Sequence, residues 1–206
     1  MLRRAVSYAG VIGLLGLAAC SSDGPAANRL ADVTTASPES GETAPSTVTA
    51  DQIALATDLE PWVPEGWEIQ RAYRQPATFL DSDVELVAVY LRPIGADPTP
   101  AEYLEQAVVA LQSIASEVFA SDASVTAIDV CLQHANDAGP DVEVKPAVQM
   151  LGVREDLDPL LAAGVQLVDL TSLSRNRKLV LFVDEYVKQA PAWNEAIIAS
   201  AATTIP

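Results

Sequence analysis

Apolar and polar positions divide the chain into three stretches. Ala5 to Ala19 is fifteen residues without a charge, carrying Val6, Val11, Ile12, Leu14, Leu15 and Leu17. That is short for a permanent bilayer span, which needs about 20 apolar residues, and right for the apolar region of a signal peptide. Residues 21–50 hold only Leu30, Val33 and Val48 as large aliphatics and no aromatic, among Ser, Thr, Ala, Pro, Asp and Glu. Such a stretch buries too little surface to offset its ordering entropy, so it is expected to be a disordered tether. Regular periodicity begins near residue 51, which predicts one domain over residues 51–206.

Within that domain the patterns predict elements one by one. Thr49 and Gln52 fit a capping box opening a short helix that Pro61 and Pro64 stop. Gly66 to Tyr73 alternates Trp67, Ile69 and Arg71 against the rest, a first strand. Val84 to Leu91 is apolar on both faces apart from Glu85, the mark of a central strand. Thr99, Pro100 and Glu102 form a strong helix start, and Tyr103, Leu104, Ala107, Val108, Leu111 and Ile114 recur at three- and four-residue spacing. This predicts one long amphipathic helix running to about Phe119.

Val125 to Leu132 reads as a strand with Ile128, Val130 and Leu132 inward. Val142 to Leu151 contains Pro146 and reads as an edge or broken strand. Val165–Thr171 and Leu179–Val187 read as a final hairpin turning near Ser174 to Arg177. A C-terminal helix over about 192–204 places Trp193, Ile197, Ile198, Ala201 and Ile205 on one stripe. The expected fold is α+β in the order β-β-α-β-β-β-β-α, a mainly antiparallel sheet packed against the long helix and the C-terminal helix.

The start of the chain adds a location. Arg3-Arg4 forms a basic region before the apolar run, which ends Leu17-Ala18-Ala19-Cys20. This resembles a bacterial lipobox, in which small residues precede a cysteine that is acylated before the leader is cut off. Residues 1–19 are then a lipoprotein signal peptide and residues 20–50 the lipidated Cys20 with its tether. The expected place is the outer face of the cytoplasmic membrane, reached by general secretion, since the flanks of Arg3-Arg4 do not extend to a twin-arginine motif.

Charge narrows the partners. The chain carries 28 Asp+Glu against 12 Lys+Arg, a net −16. Removal of residues 1–19 takes away Arg3 and Arg4 and no acid, so the mature protein is more acidic by two further units. Nucleic acid is excluded as a partner, because binding it needs clustered Lys and Arg. An anionic membrane surface repels such a body, so the acyl chains must hold it there, at about 0.8 kcal/mol per buried methylene.

The element order, the lipobox and the segment Pro64-Glu65-Gly66-Trp67 opening the first strand together resemble the LpqN-type lipoproteins of actinobacteria, which are similar in fold to the photosystem assembly protein PsbP. The resemblance covers about residues 50–206. It implies an αβα sandwich and a binding or assembly role rather than catalysis, and it carries over no functional residue.

The candidate chemistry is sparse. His134 is the only histidine; a hydrolase would have to use it as base, no Gly-x-Ser-x-Gly elbow presents a serine, and a solvated loop histidine is the plainer reading. Cys131 reads either as a redox-active or intermolecular thiol or, more simply, as a small strand residue packed as a hydrophobe. Asn136, Asp137, Asp141 and Glu143 offer oxygens without the spacing of a calcium loop. Asp81/Asp83 and Asp156/Asp158 look like turn residues. Trp62, in a proline-flanked loop, and the basic cluster Arg175, Arg177 and Lys178 mark a possible interaction surface. No cofactor, metal or catalytic residue is assigned. The expectation is a non-enzymatic envelope lipoprotein that binds an unknown envelope protein or supports assembly; the alternative is a carrier of a lipid or other apolar ligand held between sheet and helix.

Overall fold

A computed structural model describes residues 48–76, 85–135 and 145–202. Residues 1–47, which include the expected leader, Cys20 and most of the expected tether, lie outside the described residues, as do Asp81, Asp83, Asn136, Asp137, Asp141 and Glu143. The fold is α+β, with helices on a five-stranded mixed sheet in the order β1-β2-β3-β4-β5.

Helix α1 (Ala50–Leu59) starts from the expected capping box: Thr49 Oγ1 accepts from the Gln52 amide at 3.3 Å, and Gln52 Oε1 accepts from the Thr49 amide at 2.9 Å. After a 3₁₀ turn over Glu60–Trp62, β1 (Trp67–Pro76) runs along one sheet edge and pairs antiparallel with β2 (Glu85–Pro93). Helix α2 (Pro100–Ala110) is capped reciprocally by Thr99 and Glu102. The helical path then widens into a π turn over Leu111–Ala115 before α3 (Ser116–Ser121), so the expected single helix is not uniform. This helical crossover brings the chain back to the far end of the sheet, and β3 (Val125–Gln133) therefore runs parallel to β2. Three of the four strand pairings are antiparallel, as expected, and β2 with β3 is the one parallel pair, which makes the sheet mixed.

Strand β4 (Pro146–Val153) pairs antiparallel with both β3 and β5 (Leu179–Val183). It is an interior strand, not the edge that Pro146 suggested. Pro146 is the first residue of the strand, where a missing amide breaks no run of ladder bonds.

The larger correction falls after β4. Helix α4 (Arg154–Ala163) follows it directly and takes in Asp156 and Asp158, which read as turn residues. Helix α5 (Leu167–Arg175) occupies the segment expected as a strand. At its start the Asp169 carboxylate accepts from the Gln166 amide at 3.2 Å, and the helix buries Leu170, Thr171, Ser172 and Leu173. The Val165-Leu167 alternation was too short to distinguish strand from helix. No hairpin turn exists at Ser174–Arg177. Instead α5 ends there, with the Lys178 amide bonded to the Leu173 carbonyl and the Arg177 amide to that of Ser174. The order is thus α-β-β-α-β-β-α-α-β-α, with α3 counted into the crossover helix.

The last helix, α6 (Pro191–Ala202), also departs from its expected stripe. It buries Ala196 and Ser200, whereas Ile197 and Ile198 are exposed. The small face permits close approach to α5, where Thr171 Oγ1 donates to the Ala196 carbonyl at 3.3 Å. Ile205 lies outside the described residues.

The main core lies between the sheet and its helices. Val89, Val130 and Met150 stand in register on one face, with Leu91, Leu132 and Val148 beside them. Leu104, Leu111, Ile114 and Val118 pack onto them from the crossover, and all are fully or almost fully buried. The opposite face carries a different row: Tyr73, Ala88, Asp129 and Leu151, with Tyr90, Cys131, Gln149 and Phe182 next to it.

Candidate functional site

His134 follows β3 directly, and three separate connections converge on it. Its Nε2 lies 2.7 Å from Asp184 Oδ2, just past the end of β5. Its Nδ1 lies 3.3 Å from Asp97 Oδ1, in the loop after β2. Asp97 Oδ1 also accepts from the Tyr103 hydroxyl and from the Ala135 amide, both at 2.6 Å. Asp184 Oδ1 accepts from the Val187 amide at 2.8 Å, closing the turn that leads to α6. Only a doubly protonated imidazole donates to both carboxylates at once.

Aromatic rings enclose this cluster. Tyr103 meets Trp67, His134 and Tyr186 edge-on, with centroids 5.6, 5.4 and 6.3 Å apart. Burial and the Asp97 carboxylate both push the Tyr103 phenol far above its ordinary value, so it stays neutral and donates. Burial works against ionisation of Asp97, yet Tyr103, the Ala135 amide and His134 together hold its carboxyl below the ordinary range. The side chain of His134 is 20% exposed and Tyr103 is not exposed at all. The geometry is that of a clasp binding three loops at one end of the sheet. The Tyr103 hydroxyl also lies 3.4 Å from His134 Nδ1, but it is buried and committed to Asp97. His134 is therefore partnered, in place of the solvated loop histidine expected.

The other candidates stand apart from it and from one another. Trp62 is 43% exposed; its carbonyl accepts from Ser113 Oγ on the crossover at 2.7 Å, which fixes the loop and leaves the indole outward. Arg175 and Arg177 are exposed at the end of α5, and Lys178 pairs with Asp156 at 3.1 Å. Among the described residues no hydrogen bond or ion pair joins Trp62 to either arginine. Cys131 is completely buried in β3 and is disulfide-bonded.

Sequence reasoning missed the group at the middle of the second sheet face. Asp129 sits between Ile128 and Val130 and is 6% exposed. Gln149 Nε2 donates to both its oxygens, at 2.9 and 3.1 Å. Burial raises its pKa to about 7, and the Gln149 bond offsets only part of that. Close by, the Tyr73 and Tyr90 hydroxyls lie 3.1 Å apart under stacked rings. An acid inside an otherwise apolar strand was the signal available in the sequence.

Among the described residues no group of three or more His, Cys, Asp or Glu is arranged to hold a metal ion, and no helix is long and apolar enough to cross a membrane. No family model matches the chain, and no curated protein and no solved structure is significantly similar to it.

Proposed function

We propose that the protein is a lipid-anchored binding module of the cell envelope, held at the outer face of the cytoplasmic membrane through Cys20 and acting on a partner without chemistry of its own. The observation that carries this reading is the order of features at the N-terminus: Arg3-Arg4, an uncharged run, Leu17-Ala18-Ala19-Cys20, then a polar spacer before the Thr49 helix cap. The resemblance to LpqN-type lipoproteins points the same way. The clasp around His134 supports a fixed interaction scaffold, because it commits the sole imidazole to joining loops.

The carrier reading has less support. Leu111, Ile114, Val130 and Met150, which face each other between crossover and sheet, are all fully buried, as a filled core requires.

Cys20 and Cys131 are the only cysteines in the chain. The disulfide of Cys131 stands against this reading if it is made within the chain, because a thioether to diacylglycerol and a disulfide exclude each other at the Cys20 sulfur. The test is the intact mass of the protein extracted from its own host's membranes, measured with and without reductant. The expected species begins at Cys20 and carries a diacylglyceryl thioether. A chain that keeps residues 1–19, or that begins at an unmodified or disulfide-bonded Cys20, overturns the anchor. A Cys20→Ala chain should take up no fatty-acid label.

A further inference from the structure

The sheet ends differently on its two sides. At one edge β1 exposes Glu68, Gln70, Arg71 and Arg74 and carries a bulge between Ile69 and Arg71. Charges and bulges keep an edge strand from pairing with another chain. At the other edge β5 has neither. It reads Leu179-Val180-Leu181-Phe182-Val183, its register with β4 is unbroken, and Val180 is 39% exposed. Among the described residues no strand lies beyond it.

The backbone of β5 has a fixed outward side. Val183 stands opposite Val148, and the Asp184 amide donates to the Ala147 carbonyl at 3.0 Å. Hydrogen bonding alternates along an antiparallel strand. Val180 and Phe182 therefore turn their amides and carbonyls toward β4, and Leu179, Leu181 and Val183 turn theirs outward. These three outward residues match the same three of a second, antiparallel copy when Leu181 lies opposite Leu181. Leu179 then meets Val183, and each pair exchanges two hydrogen bonds, about six in all. Val180 and Phe182 meet as an apolar cross-strand pair.

The flanks of the strand agree with that register. Arg177-Lys178 precede β5 and Asp184-Glu185 follow it. Antiparallel pairing centred on Leu181 brings Arg177 of one copy to Glu185 of the other, and Lys178 to Asp184, at both ends of the contact. A parallel alignment in register would set Arg against Arg and Glu against Glu. Lys178 and Asp184 already pair within the chain, with Asp156 and His134. Arg177 is exposed and pairs with no described carboxylate, and the Glu185 side chain is 91% exposed, so this pair is the one available. We propose that β5 is a self-pairing edge: two copies of the chain join antiparallel through Leu179–Val183 into one continuous sheet, with Arg177 and Glu185 paired at each end. Such a contact is two-fold symmetric and closes on itself, so it stops at a dimer. It does not depend on how the chain is anchored.

The test is sedimentation of the detergent-solubilised full-length protein from about 1 to about 200 µM, with and without reductant. A five-residue pairing is a small interface, so the protein should pass from monomer to dimer within that range. Amide exchange at the two ends of the range should find the Leu181 amide protected only in the concentrated sample. Glu185→Arg, at an exposed position, should weaken association about tenfold, and adding Arg177→Glu to it should restore association to about the wild-type level. Leu181→Pro removes an outward amide and no bond to β4, so it should leave a folded monomer. A wild-type protein that stays monomeric at about 200 µM overturns the proposal. So does a dimer that is lost on reduction, a dimer that leaves Leu181 exchange unchanged, or a double charge reversal that associates no better than Glu185→Arg alone.

Discussion

His134 Nε2 lies 2.7 Å from Asp184 Oδ2 although the two residues are fifty positions apart in the chain. The contact joins the end of β3 to the turn after β5, and Asp97 on the other side of the ring adds the loop after β2. Both side chains are about one-fifth exposed, so solvent screens part of the attraction. We predict that Asp184→Asn and His134→Ala each lower unfolding free energy by about 1–2 kcal/mol, with a coupling of about 0.5–1.5 kcal/mol in a double-mutant cycle. Urea denaturation of the four proteins measures this. A coupling indistinguishable from zero would mean that the clasp does not hold the loops.

A second prediction concerns the contact of α4 with the sheet. Gly152 on β4 lies beneath Leu157 and Leu179, and a Cβ built there would stand 2.8 Å from Leu179 Cδ1 and 3.2 Å from Leu157 Cγ. Both leucines are buried, so their ends have little room to turn away. Gly152→Ala should cost about 1–2 kcal/mol through overpacking, and Gly152→Val more. Thermal unfolding of the two variants checks the order. A neutral Gly152→Val would show that this junction is loosely packed.

The turn after α5 yields a third. Arg177 has φ +60°, the left-handed conformation that usually falls to glycine one residue past a helix cap. The two backbone bonds that close this helix end, Lys178 to Leu173 and Arg177 to Ser174, require it. Arg177→Gly should relieve strain but lose chain entropy, leaving a net gain of about 0.5–1 kcal/mol. Arg177→Val should be destabilising, since a branched side chain tolerates that conformation least. If both variants match the wild type in urea, the turn is not under strain.

That turn also explains much of what was and was not legible. Helix α2 announced itself through Thr99, Pro100 and Glu102, residues whose capping role is strong and local. Helix α5 starts with the Gln166 amide donating to the Asp169 carboxylate and ends on an arginine instead of a glycine, so neither boundary carried the usual residue. Its few apolar positions fit both a two-residue and a three-to-four-residue repeat. The outward Ile197 and Ile198 misled for another reason: α6 is apolar nearly all round, and which face is covered depends on the small residues Ala196 and Ser200 meeting α5. The site residues were harder still. His134 was visible as the only histidine, but Asp97 and Asp184 come from other loops 37 and 50 positions away. No local pattern links them; only the sheet order does.

The last prediction follows from Asp129 and fixes a direction with pH. In the folded protein burial raises its pKa to about 7, while an unfolded aspartate titrates near 3.9. Between those values the folded state holds a proton that the unfolded state has released, so stability must fall as pH rises from about 4 to about 7. Above that window both states are ionised and the penalty is constant. Below it both are protonated and the penalty is absent. Asparagine keeps an oxygen to accept from Gln149 and carries no charge to bury. Asp129→Asn should therefore match the wild type near pH 4 and exceed it progressively toward pH 8, by an amount of order 4 kcal/mol at most for a shift of about three units. Urea midpoints for both proteins across that range decide the matter. Parallel curves would show that Asp129 is ionised in the folded protein at low pH, and that the face around Tyr73, Tyr90 and Gln149 solvates its charge.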